Sequence, residues 1–337
     1  MAPMSGGLGP YLQKGEWQFS GSLNRYATDE LFKGYDYVST PTPVIEGGDT
    51  LDLQANYGLT PRLNLTLDIP IVLWSHWSTV IAGTRYDATA HGLSDTVFGG
   101  RFWLLDPEKH TKENLALGLA LRLPTGNSNY LVPYPDSKGQ NITFRPVHPA
   151  IQVGSGATGL RLSVQGFRAF RHLSFSGTGL YVFSLKEQNN TLAFGAALNP
   201  AGPQAVAANV RYLSTPDSYL FNGSVAAPIP YLKGMAATLS GKIAGVPTWN
   251  TITSTIGYRQ PGYIVTMDPG LAWNTSFASY FVSMPLRMHQ YVGLDFTGSQ
   301  KTADFSKVQL QFGVQFHLGG KPKTSAPTGD ATGKPTK

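Results

Sequence analysis

The chain has 337 residues and no Cys, and only 14% of it is charged, against about a quarter in an average soluble domain. Without Cys there are no disulfides, thiolate metal ligands or cysteine nucleophiles; the formal charge of +6 comes from Lys and Arg scattered along the chain, which argues against a nucleic-acid partner. The apolar, nearly uncharged stretch Pro70 to Gly83 is shorter than the roughly 20 residues of a spanning helix and contains Ser75, His76 and Ser78, so it does not read as a membrane-spanning helix.

Residues 1–14 form an N-terminal segment with no positive region followed by an apolar run, so no signal peptide is visible. If the chain is exported, its signal has been removed or its start misassigned. From residue 15 onward the chain is organised by alternation with period two, in segments of about ten residues. Leu63, Leu65, Leu67, Ile69 and Ile71 share one face, with Asn64, Thr66, Asp68 and Pro70 on the other. Leu115 to Leu123 repeat the pattern over Ala116, Gly118, Ala120 and Arg122. The last such segment sets Val308, Leu310, Phe312, Val314, Phe316 and Leu318 against Lys307, Gln309, Gln311, Gly313, Gln315 and His317.

Collected in order, these segments predict twelve strands: 15–26, 49–58, 63–72, 93–105, 115–124, 158–170, 173–184, 217–228, 235–245, 262–274, 277–288 and 305–318. A count of fourteen arises if 191–198 and 205–213 form an extra hairpin. The connections alternate between short (59–62, 106–114, 171–172, 229–234, 275–276) and long (27–48, 73–92, 125–157, 185–216, 246–261, 289–304). A soluble sandwich has no reason to sort its loops in this way. An outer-membrane barrel does, with tight periplasmic turns, long extracellular loops and both termini in the periplasm. The expected fold is therefore all-β: a transmembrane, antiparallel, up-and-down β-barrel over 15–318 in the bacterial outer membrane. Residues 319–337, rich in Gly, Pro, Thr, Ser, Ala and Lys, read as a disordered tail or an expression scar. Aromatic girdles are expected at the turn rim (among them Trp103, Phe170, Tyr219, Trp273 and Phe277) and at the loop rim (among them Tyr26, Trp74 and Tyr263).

If the apolar face meets lipid, the other face lines a wet lumen that takes Asp52, Asp68, Asp95, Arg101, Arg122, Arg161, Lys242, Asp268 and Lys307. An Arg or Lys at the bilayer midplane would cost about 2–4 kcal/mol, which favours this assignment. Asp68, Arg101, Arg122, Arg161, Lys242 and Asp268 are the candidate selectivity residues, with a network of salt bridges that plugs the barrel as the equal alternative. Trp74, Trp77 and Trp249 in the long loops are candidates for an apolar mouth, or for residues that pack the loops together. Pro269, inside a predicted strand, should interrupt the ladder there.

No catalytic residue, metal site or cofactor is assigned. None of the seven His is paired at metal-ligand spacing. There is no Gly-x-Ser-x-Gly elbow and no His-Ser-Asn-Gly string of the kind carried by outer-membrane phospholipases. Gly154-Ser155-Gly156 lacks the context of a phosphate loop.

Several strings carry a family resemblance. They are Tyr57-Gly58-Leu59-Thr60-Pro61-Arg62-Leu63, Gly92-Leu93-Ser94-Asp95, Leu121-Arg122-Leu123-Pro124-Thr125-Gly126, Gly245-Val246-Pro247, Gly257 to Tyr263 and Asp268-Pro269-Gly270-Leu271. Together, over about residues 50 to 318, they resemble the outer-membrane transporter-like barrels labelled phenol-degradation meta-pathway proteins. Gln311 to Leu318 resembles the C-terminal targeting signal of outer-membrane barrels, although the chain runs on past it. The resemblance implies a channel or transporter for small molecules, aromatic or apolar ones among them, and brings no agreed catalytic residues. The expected partners are membrane lipid including lipopolysaccharide, small solutes and the barrel-assembly machinery. A non-conducting barrel with a structural or partner-binding role, and more remotely a lipid-modifying enzyme, are the alternatives.

Overall fold

The computed structural model describes residues 11–319. Most of the expected tail and part of the N-terminal segment lie outside the described residues. Among those described, twelve strands form the wall: β1 (Trp17–Thr28), β2 (Ile45–Gly58), β3 (Leu63–Ile81), β4 in two pieces (Thr84–Leu93 and Val97–Trp103), β5 (Glu113–Arg122), β6 (Gly159–Phe170), β7 (Leu173–Ser184), β8 (Ser218–Pro228), β9 (Met235–Val246), β10 (Gly262–Asn274), β11 in two pieces (Ala278–Ser283 and Leu286–Val292) and β12 (Gln309–Leu318). Each pairs antiparallel with the next, and β1 pairs with β12 from Trp17↔Leu318 to Tyr26↔Gln309, which closes the barrel. Closure satisfies every edge, a condition that an apolar surroundings imposes on any sheet.

Side-chain exposure fixes the two faces. In β5, Leu115, Leu117, Leu119 and Leu121 are 42–56% exposed, whereas Ala116 and Ala120 on the alternate face are 0% and 8% exposed. Phe98, Leu162, Phe175, Phe221, Leu239, Leu271 and Phe312 likewise point out, while Ser20, Ser22, Asn56, Thr66, Gln165, Ser176, Thr266 and Asp268 point in and are buried. An exterior of large apolar side chains around a polar interior is the reverse of a soluble protein and the arrangement of an outer-membrane barrel. Phe170, Trp273 and Phe277 sit exposed near the turn rim. Two girdle expectations are corrected: Trp103 is fully buried and turned inward, and Tyr219 pairs with Tyr181 at the loop rim.

The loops differ from expectation in three places. First, 73–92 is mostly strand: β3 and the first piece of β4 continue as a hairpin beyond the wall, with a register shift between Val72 and Ser75. Second, the extra wall hairpin does not form. Residues 188–214 instead fold as a two-stranded ribbon with short helices at Phe194–Leu198 and Pro203–Val206, because their apolar residues are buried against other loops rather than alternating across a wall. Third, the ladder of β12 with β1 ends at Gln309, and Lys307, although its carbonyl still accepts from the Arg287 amide of β11 (2.9 Å), is exposed rather than inside; Thr302–Asp304 just before it pair with Leu31–Lys33 in a small separate sheet.

The interruption at Pro269 is present, and it has a counterpart. β10 pairs with the first piece of β11 up to Gly270↔Ser283 and with the second from Met267↔Leu286, so Pro269 faces the break at Met284 and Pro285. Neither proline has an amide hydrogen to donate, and one backbone bond, Met284 N–H to the Pro269 carbonyl (2.9 Å), holds the step together.

Candidate functional site

The lumen has two unlike walls. On β3 to β6 it is charged. Arg161 of β6 reaches Asp68 of β3 at 2.7 Å, and Gln54 of β2 donates to the same carboxylate. Arg122 of β5 lies 3.9 Å from Asp95, whose oxygens accept from the Ser155 and Gly126 amides at 2.9 and 3.2 Å and from the Ser155 hydroxyl. Arg101 of β4, in register with Asn64 and Gly118, makes no ion pair among the described residues. Three guanidinium groups thus face two carboxylates, and both carboxylates are engaged. The Arg161 and Asp68 side chains keep about a fifth of their surface exposed, so the pair is a partly wet one and Coulomb attraction across it is softened.

On β7 to β10 the wall is lined with hydroxyls and amides. Register stacks inward residues across four strands: Thr178↔Asn222↔Lys242↔Thr266 in one row and Ser176↔Ser224↔Ser240↔Asp268 in the next. Lys242 and Asp268 lie 3.7 Å apart, and the Thr266 hydroxyl donates to Asp268 at 2.5 Å. This wall borders a cavity of about 310 Å³ that reaches across to Ser22, Asn24 and Asp52. The structure therefore brings Asp68, Arg101, Arg122 and Arg161 together on one side, and Lys242 and Asp268 on the other.

The two ends are built differently again. At the loop rim the protruding β3–β4 hairpin, the 125–157 loop and the 185–216 loop share an apolar core. Trp77 stacks on His148 with ring centroids 3.6 Å apart, and Tyr134, Ile81, Val147 and Ile151 are buried around them. Phe194 meets Tyr134 and His148 edge-on at 5.3 and 5.6 Å. Burial pushes His148 down to about 3, so its ring is neutral. Of the three aromatic mouth candidates, Trp77 is thus a packing residue. Trp74, stacked on His76, and Trp249, edge-on to Phe296, remain exposed.

Asp217, fully buried, ties the loops to the wall. It accepts from the Ser184 and Thr251 amides at 2.8 and 2.7 Å and from the Tyr181 hydroxyl at 3.1 Å. Arg259, 3% exposed, donates to the Thr248 carbonyl and the Ser214 hydroxyl, and desolvation lowers it to about 10. Neither residue stands out in the sequence, since each acts through partners from distant loops. At the turn rim, Tyr11 enters the lumen. Its hydroxyl donates to the His110 carbonyl (2.6 Å) and accepts from Asn114 (2.8 Å), and its ring packs edge-on against Trp103 and Phe167. The polar rows of β7 to β10 were visible in the alternation, where inward positions carry Thr, Asn and Ser; what the alternation lacks is which rows fall level.

No group of three or more His, Asp or Glu among the described residues could hold a metal ion.

Comparison with solved structures places this architecture among outer-membrane barrels. An outer-membrane channel from Pseudomonas putida F1 aligns over 94% of this chain and 100% of its own, with a TM-score of 0.58 at 12% identity. This chain is an outer-membrane β-barrel. The translocator domain of the autotransporter NalP from Neisseria meningitidis aligns over 90% of this chain and 89% of its own (TM-score 0.46, 10% identity). The toluene transporter TodX of Pseudomonas putida aligns over 91% and 90% (TM-score 0.42, 9% identity). No family model and no curated protein matches the barrel's sequence.

Proposed function

We propose that the barrel is an outer-membrane channel for small molecules, with its termini in the periplasm and its long loops outside the cell. The observation that carries this reading is a polar, charge-lined cavity enclosed by a continuous wall whose outer surface is apolar. Asp68, Arg101, Arg122, Arg161, Lys242 and Asp268 form the charged lining that sets selectivity, and Arg101, the cation with no ion pair, is its most effective member. Lipid, including lipopolysaccharide, solvates the outer band, and the barrel-assembly machinery meets the strand Gln309–Leu318. The lining favours hydrophilic solutes. Aromatic or apolar solutes, which the sequence resemblance implies, would first meet exposed loop residues such as Trp74 and Trp249.

A second reading, a non-conducting barrel that binds a partner through its loops, draws on the aromatic core at the loop rim and the Tyr11 cluster at the turn rim. Current through the refolded protein in a planar bilayer separates the two. Stable open steps, with Arg101→Gln shifting the reversal potential toward cations, support the channel; a correctly inserted barrel that stays silent overturns it in favour of the partner-binding reading.

A further inference from the structure

The hydroxyl and amide wall of β7 to β10 has more hydrogen-bonding capacity than the protein uses. Buried polar groups in folded proteins are nearly always bonded. Yet three that border the same cavity, the Ser22 and Thr178 hydroxyl oxygens and the Asn222 side-chain carbonyl, are buried with no hydrogen-bond partner among the described residues. Thr178 and Asn222 are level neighbours on adjacent strands, and Asn222 is level with Lys242, so the unspent groups stand beside a charged donor. One row on, Ser240 is level with Asp268, a charged acceptor 3.7 Å from Lys242.

The balance of donors and acceptors selects the ligand class. Lys242 only donates, the carboxylates of Asp52 and Asp268 and the Asn222 carbonyl only accept, and the hydroxyls do either. An anion, which only accepts, meets two carboxylates and leaves the Asn222 carbonyl unsatisfied. An ammonium, which only donates, meets Lys242. An apolar solute satisfies nothing. A hydroxyl group gives and takes a hydrogen bond, and a ring bearing several of them matches a surface on which the two kinds of partner alternate. The cavity also has an apolar plate: Phe281 borders it and lies over Gly313, where any Cβ would collide with the ring. The C–H face of a sugar ring is weakly positive and packs against the negative face of an aromatic ring. At about 310 Å³ the cavity is at the small end of ligand pockets, which run from about 300 to 1,000 Å³.

We propose that this wall is a binding site for a small, uncharged, polyhydroxylated solute of monosaccharide size. The proposal deepens the channel reading and rests on it only in that the solute has to reach the lumen. The test uses the full chain refolded in a detergent without a sugar headgroup, with glucose as the probe. Glucose is expected to bind with millimolar affinity in calorimetric titration, and Asn222→Leu with Thr178→Val is expected to weaken it about tenfold, the worth of two hydrogen bonds. Each substitution is also made singly, and heat-modifiable gel mobility establishes that the barrels tested are folded. No glucose binding to a folded barrel overturns the proposal, as does equal binding by wild type and variants, or binding of benzoate or toluene in glucose's place. Ion current distinguishes this from failure of the channel reading: a barrel that conducts but ignores glucose refutes the site alone, whereas one that binds glucose but never conducts refutes the channel alone.

Discussion

The wall of this barrel and the cap over its loop rim are stabilised in opposite ways. In the wall, consecutive strands are joined by backbone ladders, and the large apolar side chains point outward, so packing inside contributes little. The cap is a small soluble-type core, with Trp77, Tyr134, Val147 and Ile151 buried among residues from three loops and with Asp217 and Arg259 hydrogen-bonded to residues of distant loops. The contrast teaches where each region is vulnerable: the cap to lost volume and buried charge, the wall to a charge on the wrong face.

The largest effect should come from Trp77→Ala, which empties the centre of the cap and should cost it about 3–5 kcal/mol. Protease cleavage within 125–157 should rise sharply while the boiled and unboiled barrels keep their gel mobilities. Cleavage no faster than in wild type would mean that the cap does not depend on its core. Next is Leu119→Arg, which places on the outer face of β5 the charge that Arg161 carries on the inner face of its neighbour; about 2–4 kcal/mol of folding stability in lipid should be lost. Urea titration in vesicles measures it, and no loss would reverse the assignment of inside and outside.

The smallest effect, at mildly acidic pH, is titration of the cap by acid. His148 is held neutral by burial, with its folded value lowered to about 3 from an ordinary value of 6.5. A depressed value of this kind contributes stability that is complete above about pH 6.5 and is lost as pH falls toward 3. Tryptophan fluorescence should therefore report loosening of the Trp77 environment in that window, and His148→Phe, which keeps a ring against Trp77, should remove the step. An unchanged acid transition in the variant would place its cause elsewhere.

The same contrast explains what could be read from the sequence. Period two is a local signal, and it locates the wall strands because each residue's face depends only on its parity. It located Arg101, Arg122, Arg161, Lys242 and Asp268 inside for the same reason. It stopped short at β3, where Trp74 and Trp77 extend the hairpin past the wall through a register shift that breaks parity. The cap has no period. Trp77 and His148 are separated by 70 positions of sequence, and nothing in the neighbourhood of either announces the other. The hydroxyl rows fall between these cases, because parity turns Thr178 and Asn222 inward but only the register makes them level.

The pairing of β1 with β12 has a kinetic consequence. Trp17 finds its partner at Leu318, almost the whole length of the chain away, so the contact that completes the cylinder is the one with the greatest loop to close. Until the last strand has been synthesised and placed, the first keeps one edge open and competent to pair with any other strand it meets. The seam between Trp17–Tyr26 and Gln309–Leu318 is therefore the one wall pairing that needs both ends of the polypeptide, and a chain that lacks either end keeps an open edge.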